Sequence, residues 1–259
     1  MSKGAPRRNW LKAAGVALTG LWLAGCRGKS PGKIADEILM RAETLNFRVQ
    51  RIGLRRDALA REFSLDDISQ DFRSNGSIDP PDADYRAHLA KGFADWRLVI
   101  DGLVERPMSL TLADLRAQPA RTQITRHDCV EGWSSIGQWT GARLGPLLDK
   151  AGLKQEARFV VFHCADSLDG TTDGSGRYYE SIDLVDAFHP QTILAYDMGG
   201  APLPVRHGAP IRLRVERQLG YKHAKYVHRI EAVADLAHIG RGKGGFWEDR
   251  ANYEWYAGI

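Results

Sequence analysis

Residues 158–196 contain three successive runs: Arg158-Phe159-Val160-Val161-Phe162-His163-Cys164, Ile182-Asp183-Leu184-Val185-Asp186-Ala187-Phe188 and Thr192-Ile193-Leu194-Ala195-Tyr196. The outer two read as strands and the middle one as a helix closed by Pro190. The alternation continues on both sides. Upstream, residues 96–100 read as a strand ending at the Asp101-Gly102 turn. Residues 112–117 read as a short helix, and 144–151 as another with Gly152 as its C-terminal stop. Downstream, residues 211–215 and 226–233 read as further strands. Many short strands joined by brief helices predict a mixed α+β domain rather than a doubly wound nucleotide-binding fold.

The chain as a whole is ordinary for a globular protein, with 43% hydrophobic and 26% charged residues over 259 positions. This excludes a disordered chain and a polytopic membrane protein. The formal charge of +4 gives no case for nucleic-acid binding. Lys3, Arg7, Arg8 and Lys12 lie in the first 25 residues, where there is no Asp or Glu, so the remainder is neutral.

The N-terminus reads as an export signal. Arg7-Arg8-Asn9-Trp10-Leu11-Lys12 leads into an uncharged stretch, residues 13–25. At ~1.5 Å per residue that stretch covers about 20 Å, short of a ~30 Å hydrocarbon core. The pattern is similar to a twin-arginine signal, and Leu23-Ala24-Gly25-Cys26 to a bacterial lipobox in which Cys26 takes a lipid. We therefore expect export to the periplasm and a lipid anchor, with 1–26 as signal and lipobox. Residues 27–69 are expected to hold a polar tether and an amphipathic helical segment, with apolar positions Ile34, Ile38, Leu45, Val49 and Ile52. Residues 70–259 form the remaining domain.

Two motifs that would bring nucleotides fail. Gly240-Arg241-Gly242-Lys243-Gly244-Gly245 satisfies G-x-G-x-x-G, but no acidic residue can follow at ~20 positions, and Phe246-Trp247-Glu248-Asp249 does not read as a helix start. A flexible C-terminal loop is expected there. No P-loop and no G-x-S-x-G elbow occurs, so an ATPase or serine hydrolase lacks support.

After Cys26 only Cys129 and Cys164 remain. Three readings stand open for them: a disulfide in an oxidising compartment, a zinc site with the adjacent His127 and His163, or one thiolate ligating a soft metal. The finger-type C-x-x-C spacing is missing.

Three blocks point further. The first is Arg126-His127-Asp128-Cys129-Val130-Glu131-Gly132-Trp133-Ser134, followed by Gln138-Trp139-Thr140-Gly141. The second, residues 189–215, contains His207-Gly208-Ala209-Pro210-Ile211-Arg212-Leu213. The third is Gly220-Tyr221-Lys222-His223-Ala224-Lys225. In that order they resemble the molybdopterin domain of the sulfite-oxidase family, in particular its exported bacterial branch, over residues 70–235. The resemblance implies a β-rich α+β fold and a molybdenum held by one molybdopterin and by the thiolate of Cys129. It also implies cofactor contacts from Asn75, Cys164, His207, Arg212 and Lys225 and from the backbone of His223 and Ala224. Arg126 and His127 would present positive charge to an oxyanion or shuttle a proton, or else pair with Asp128 or Glu131 as structural ions. The implied activity is oxygen-atom transfer or two-electron redox on a small or protein-bound substrate, sulfoxide or sulfite-like. There is no C-x-x-C-H haem motif, so a separate haem protein or membrane cytochrome subunit is expected as electron partner. Two rival readings are a cofactor-free binding lipoprotein and a zinc hydrolase using His127, Cys129, His163 and Cys164.

Overall fold

A computed structural model describes residues 42, 45, 47–49, 55–169, 171 and 175–259. The chain divides into two compact units, Met1–Gln50 and Arg51–Ile259. In the first, residues 42, 45 and 47–49 are helical; the export signal, the lipobox and the tether lie outside the described residues. Residues 55–63, within the expected helical segment, carry no helix. Instead the chain here runs along a sheet, with the Phe63 N–H donating to the Ile124 carbonyl at 2.9 Å.

The second unit holds two five-stranded sheets. One orders its strands β2 (Met108–Leu110), β1 (Leu98–Gly102), β10 (Val227–Val233), β5 (Phe159–Ser167) and β6 (Arg177–Asp183). Only β1 and β10 pair in parallel there. The other orders β3 (Ala120–Asp128), β4 (Ser134–Arg143), β7 (Ile193–Met198) and β8 (Ala201–Pro202), with β9 (Arg212–Arg214) also pairing β7. Among the described residues five α-helices accompany them: α1 (Ala83–Ala90), α2 (Leu112–Arg116), α3 (Leu144–Ala151), α4 (Leu184–Ala187) and α5 (Phe246–Ala251). The fold is the mixed, β-rich α+β type that the alternation predicts.

The periodicities explain the packing. β4 alternates buried and partly exposed residues, so its inner face enters the core while its outer face does not. α3 buries Leu144, Leu147, Leu148 and Ala151 on one side, and Gly152 ends it at φ 70°, a left-handed conformation that glycine takes without a Cβ penalty. These leucines share one core with Leu98, Ile100, Phe162 and Ile230 of the first sheet and Ala142, Leu194 and Leu213 of the second. A smaller cluster of Phe72, Trp139, Ile193, Ala195 and Leu203 also forms on the second sheet.

Two local expectations are corrected. The helix expected over 182–188 is only α4, because Ile182 continues β6 opposite Val160 and Asp183 then caps the helix by accepting the Asp186 N–H at 2.9 Å. The C-terminal segment is not a flexible loop. Phe246 is buried in the main core and begins α5. Asp249 of that helix accepts the backbone N–H groups of Arg241 (2.8 Å) and Lys243 (3.0 Å). An internal carboxylate thus takes the donors that a bound phosphate would need from the glycine-rich run.

Candidate active site

The two sheets meet the site through their ends. β3 and β4 are joined by a tight connection in which the Cys129 N–H donates to the Trp133 carbonyl at 2.9 Å and the Gly132 N–H to the Cys129 carbonyl at 3.0 Å. This places Cys129, half-buried, at the tip of a long hairpin. It enters a cavity of about 180 Å³ whose wall is closed by Asn75 and Gly76, Asp166 from β5, Tyr178 from β6, His223 and Lys225 before β10, and Trp247 and Tyr253 at the C-terminus.

The remaining expected residues divide by depth. His127 is buried two residues before Cys129 and stacks edge-on against His223, centroids 5.1 Å apart. Its Nδ1 lies 3.1 Å from Arg214, and its Nε2 has no hydrogen-bond partner. Burial, with Arg214 and Arg212 nearby, pushes its pKa well down, so the ring is neutral. Gly220 explains the close approach of the 220–222 turn: a Cβ there would sit 2.5 Å from His127 Nε2. Arg126 is not in the site. Strand alternation turns it to the outer face, where it pairs with Asp128 at 3.0 Å. Cys164 lies in the main core and is a free thiol, raised well above its ordinary pKa by burial. Cys129 is free as well, so the disulfide reading is not realised. His163 faces away from Cys164 along β5 and bonds Glu231 at 2.9 Å. Among the described residues no group of three His, Cys, Asp or Glu side chains is arranged to hold a metal, which removes the geometry a four-residue zinc site needs.

Behind the cavity wall lies an unusual concentration of buried cations. Arg212 is fully buried and makes two long hydrogen bonds, to the carbonyls of His207 (3.2 Å) and His223 (3.4 Å), and its Nε has no partner. Burial, with Arg214 next, pushes its pKa down to about 9. Lys225 donates to the carbonyls of Asn75 (2.6 Å), Ser77 and Arg206 (3.2 Å), and burial and Arg212 lower its pKa. His207 lies against Ser74, with Nδ1 3.3 Å from the hydroxyl, and burial keeps it neutral with a pKa of about 4. The N–H groups of His223 and Ala224 are hydrogen-bonded within their own turn, to the carbonyls of Gly220 (3.2 Å) and Lys222 (3.1 Å). What this segment offers the cavity is therefore the His223 ring, whose Nδ1 has no partner, and Lys225.

These observations test whether a molybdenum–pterin group fits. A buried guanidinium with a free Nε–H and no hydrogen-bonded carboxylate, beside the desolvated ammonium of Lys225, leaves positive charge short of an anion, which a phosphate-bearing pterin supplies. Burial, then the Glu131 carboxylate, raises the Cys129 thiol against the backbone N–H groups of Glu131 and Val130. The protein alone does not make this cysteine a nucleophile; a bound cation would draw out its thiolate. The residues fit the group.

Sequence reasoning passed over Asp166, Tyr178, Trp247 and Tyr253. A carboxylate two residues after an apolar strand run marks Asp166, and the aromatic density of residues 246–256 marks the tail as packed.

Residues 86–238 match the oxidoreductase molybdopterin binding domain family. The chain is 40% identical over 165 residues to the "Putative protein-methionine-sulfoxide reductase subunit YedZ1" of Azospira oryzae, covering 64% of this chain and 56% of that protein. It is 33% identical over 184 residues to the protein-methionine-sulfoxide reductase catalytic subunit MsrP of Campylobacter jejuni, covering 66% of this chain and 59% of that protein. The chain thus spans under three fifths of the length of these two relatives. The sulfane dehydrogenase SoxCD of Paracoccus pantotrophus is 26% identical over 54% of this chain and 39% of its own, with a TM-score of 0.48.

Proposed function

The chain belongs to the molybdopterin-binding oxidoreductase family, and from that premise we propose that it catalyses oxygen-atom transfer on sulfoxides, small or protein-bound, with electrons supplied by a separate haem protein or membrane cytochrome subunit. The observation that carries this reading is the Cys129 thiol, held at a hairpin tip in a cavity backed by Arg212, a fully buried guanidinium with no hydrogen-bonded carboxylate. The two methionine-sulfoxide reductase relatives support the substrate class.

Cys129 would hold the molybdenum. Arg212, His207, His223, Lys225 and Asn75 would hold the pterin and its phosphate. When bound, the group supplies two-electron redox chemistry and exchange of an oxygen atom. The protein's part is to fix that group and to exclude competing water. Trp247, Tyr253 and Tyr221 wall the cavity with aromatic surface suited to a thioether side chain. The fully buried Arg214–Glu216 pair holds His127, and with it the strand end that presents Cys129. The reading includes twin-arginine export to the periplasm and a lipid on Cys26, both from the N-terminal sequence. A cofactor-free lipoprotein would have no use for a buried, unpaired Arg212.

The test is dye-linked reduction of methionine sulfoxide by the cofactor-loaded full chain. Substrate-dependent oxidation of reduced viologen is expected; loaded protein that leaves the dye reduced with free and protein-bound sulfoxide alike rejects the reading.

A further inference from the structure

We propose that Asp166 is the proton donor of this cavity, delivering one of the two protons that reduction of an oxo substrate consumes. The inference rests on the sulfoxide reading and deepens it.

Asp166 lies at the end of β5, is 3% exposed, and lines the same cavity as Cys129. Its Oδ1 has no hydrogen-bond partner among the described residues. A carboxylate in such a place would be costly as an anion, and burial raises its pKa above the ordinary carboxylate range, with Lys225 opposing. It therefore holds a proton where an exposed aspartate would not.

The other groups in the wall are committed elsewhere. Lys225 has three carbonyl acceptors for its three donors. His223 Nε2 faces the Gln218 carbonyl at 3.0 Å, and burial with Arg214 nearby keeps its ring neutral. The Tyr178 hydroxyl donates to the Tyr221 carbonyl, and the Tyr221 hydroxyl to the Glu254 carbonyl at 2.6 Å. Phenols are in any case far weaker acids than a carboxyl. Glu131, exposed at the rim, accepts the Trp133 indole N–H at 2.9 Å. Among the groups lining the cavity, Asp166 alone joins burial, an uncommitted oxygen and a carboxyl whose pKa burial raises.

The titratable groups around it come from several elements. Lys225 and Tyr226 approach from the segment before β10, Tyr178 from β6, Tyr85 from α1 and Cys164 from its own strand. Cys129, Glu131 and His223 stand across the cavity. Lys225 is the sole cation of this set and favours the anion that remains after donation.

The step balances as follows. The sulfur–oxygen bond breaks, two electrons arrive from the haem partner, and two protons convert the oxygen to water while the sulfide is released. Asp166 supplies one proton and solvent the other; the carboxylate is then reprotonated from solvent.

The experiment compares cofactor-loaded wild type, Asp166→Asn and Asp166→Glu. Asparagine matches the protonated acid in shape and charge, so molybdenum content is expected to stay at the wild-type level. Sulfoxide turnover should fall ~10²–10⁴-fold, the usual yield of a positioned acid, and lose its decline at alkaline pH; glutamate should restore part of both. Difference infrared spectroscopy should find in wild type a protonated-carboxyl band that titrates above the ordinary carboxylate range and is missing in Asp166→Asn. Turnover of Asp166→Asn within about threefold of wild type, or absence of the band from wild type, would overturn the proposal. A loaded wild type that reduces no sulfoxide would overturn the functional reading instead, and the infrared band would still decide Asp166. If Asp166→Asn fails to load, the wild-type band and the Asp166→Glu pH profile decide it.

Discussion

Replacing Glu216 by glutamine would expose how the protein holds its buried cations. Arg214 and Glu216 are both completely buried, and the guanidinium grips the carboxylate through Nε at 2.8 Å and a terminal nitrogen at 2.6 Å. Gln123 donates to the same carboxylate at 2.8 Å. Arg214 and Arg212 both lie over the Trp139 ring, at 4.6 Å and 5.0 Å, so two guanidinium groups share one aromatic wall. Glu216→Gln keeps the volume, removes that charge and turns an amide NH₂ toward either Arg214 or Gln123. Breaking one side of a buried pair typically costs about 3–5 kcal/mol, because the remaining charge stays desolvated. For a unit of this size each kcal/mol moves Tm by about 2–4 °C, so a fall of about 10 °C is expected. Calorimetry and urea unfolding measure it. Arg214→Leu combined with Glu216→Leu should cost less than the sum of the two single changes, since no charge is then stranded. A Glu216→Gln protein within about 1 kcal/mol of wild type would refute the reasoning, as would additive single changes.

Stability should fall in mild acid. His127 and His223 are pushed well below their ordinary pKa by burial, and His207 and His228 to about 4. The unfolded chain binds these protons first, near pH 6.5, so the stability is present above that value and is lost as pH drops toward 4; equal Tm at pH 7.5 and 5 would contradict this. Gly220→Ala should displace His127 and lower both molybdenum loading and Tm, because its Cβ meets Nε2 at 2.5 Å; wild-type loading would count against the packing argument. Lys225→Met should release residues 75–77, seen as lost hydrogen-exchange protection there while β5 stays protected; unchanged protection at 75–77 would show that the carbonyl contacts do not hold the loop.

Local rules placed much of the fold and the chemistry. Gly152 marked the end of α3, and the strand runs at 158–164 and 226–233 fell where β5 and β10 lie. Cys129 was legible because its block fixes both the residue type and its neighbours. What escaped depends on pairing between distant segments. Asp166 reads as a surface aspartate until β6 and Lys225 enclose it. Lys225 reads as a cofactor contact, while in the fold its donors first tie residues 75–77 and 206 together. Arg126 differs from His127 only by strand parity, and that parity is visible only once β3 is known to present alternate residues inward. The tail's glycines hid a helix whose Asp249, nine residues beyond the first of them, gathers the glycine-rich run through its backbone N–H groups.

The account stands most directly on molybdenum and pterin content, measured by plasma mass spectrometry and pterin fluorescence on the full chain from a host that makes the cofactor, beside Cys129→Ala. We expect about one molybdenum per wild-type chain, bound through a single thiolate, and its loss in Cys129→Ala. Metal-free wild type, or a Cys129→Ala protein that loads molybdenum fully, would contradict the assignment of Cys129 as its ligand.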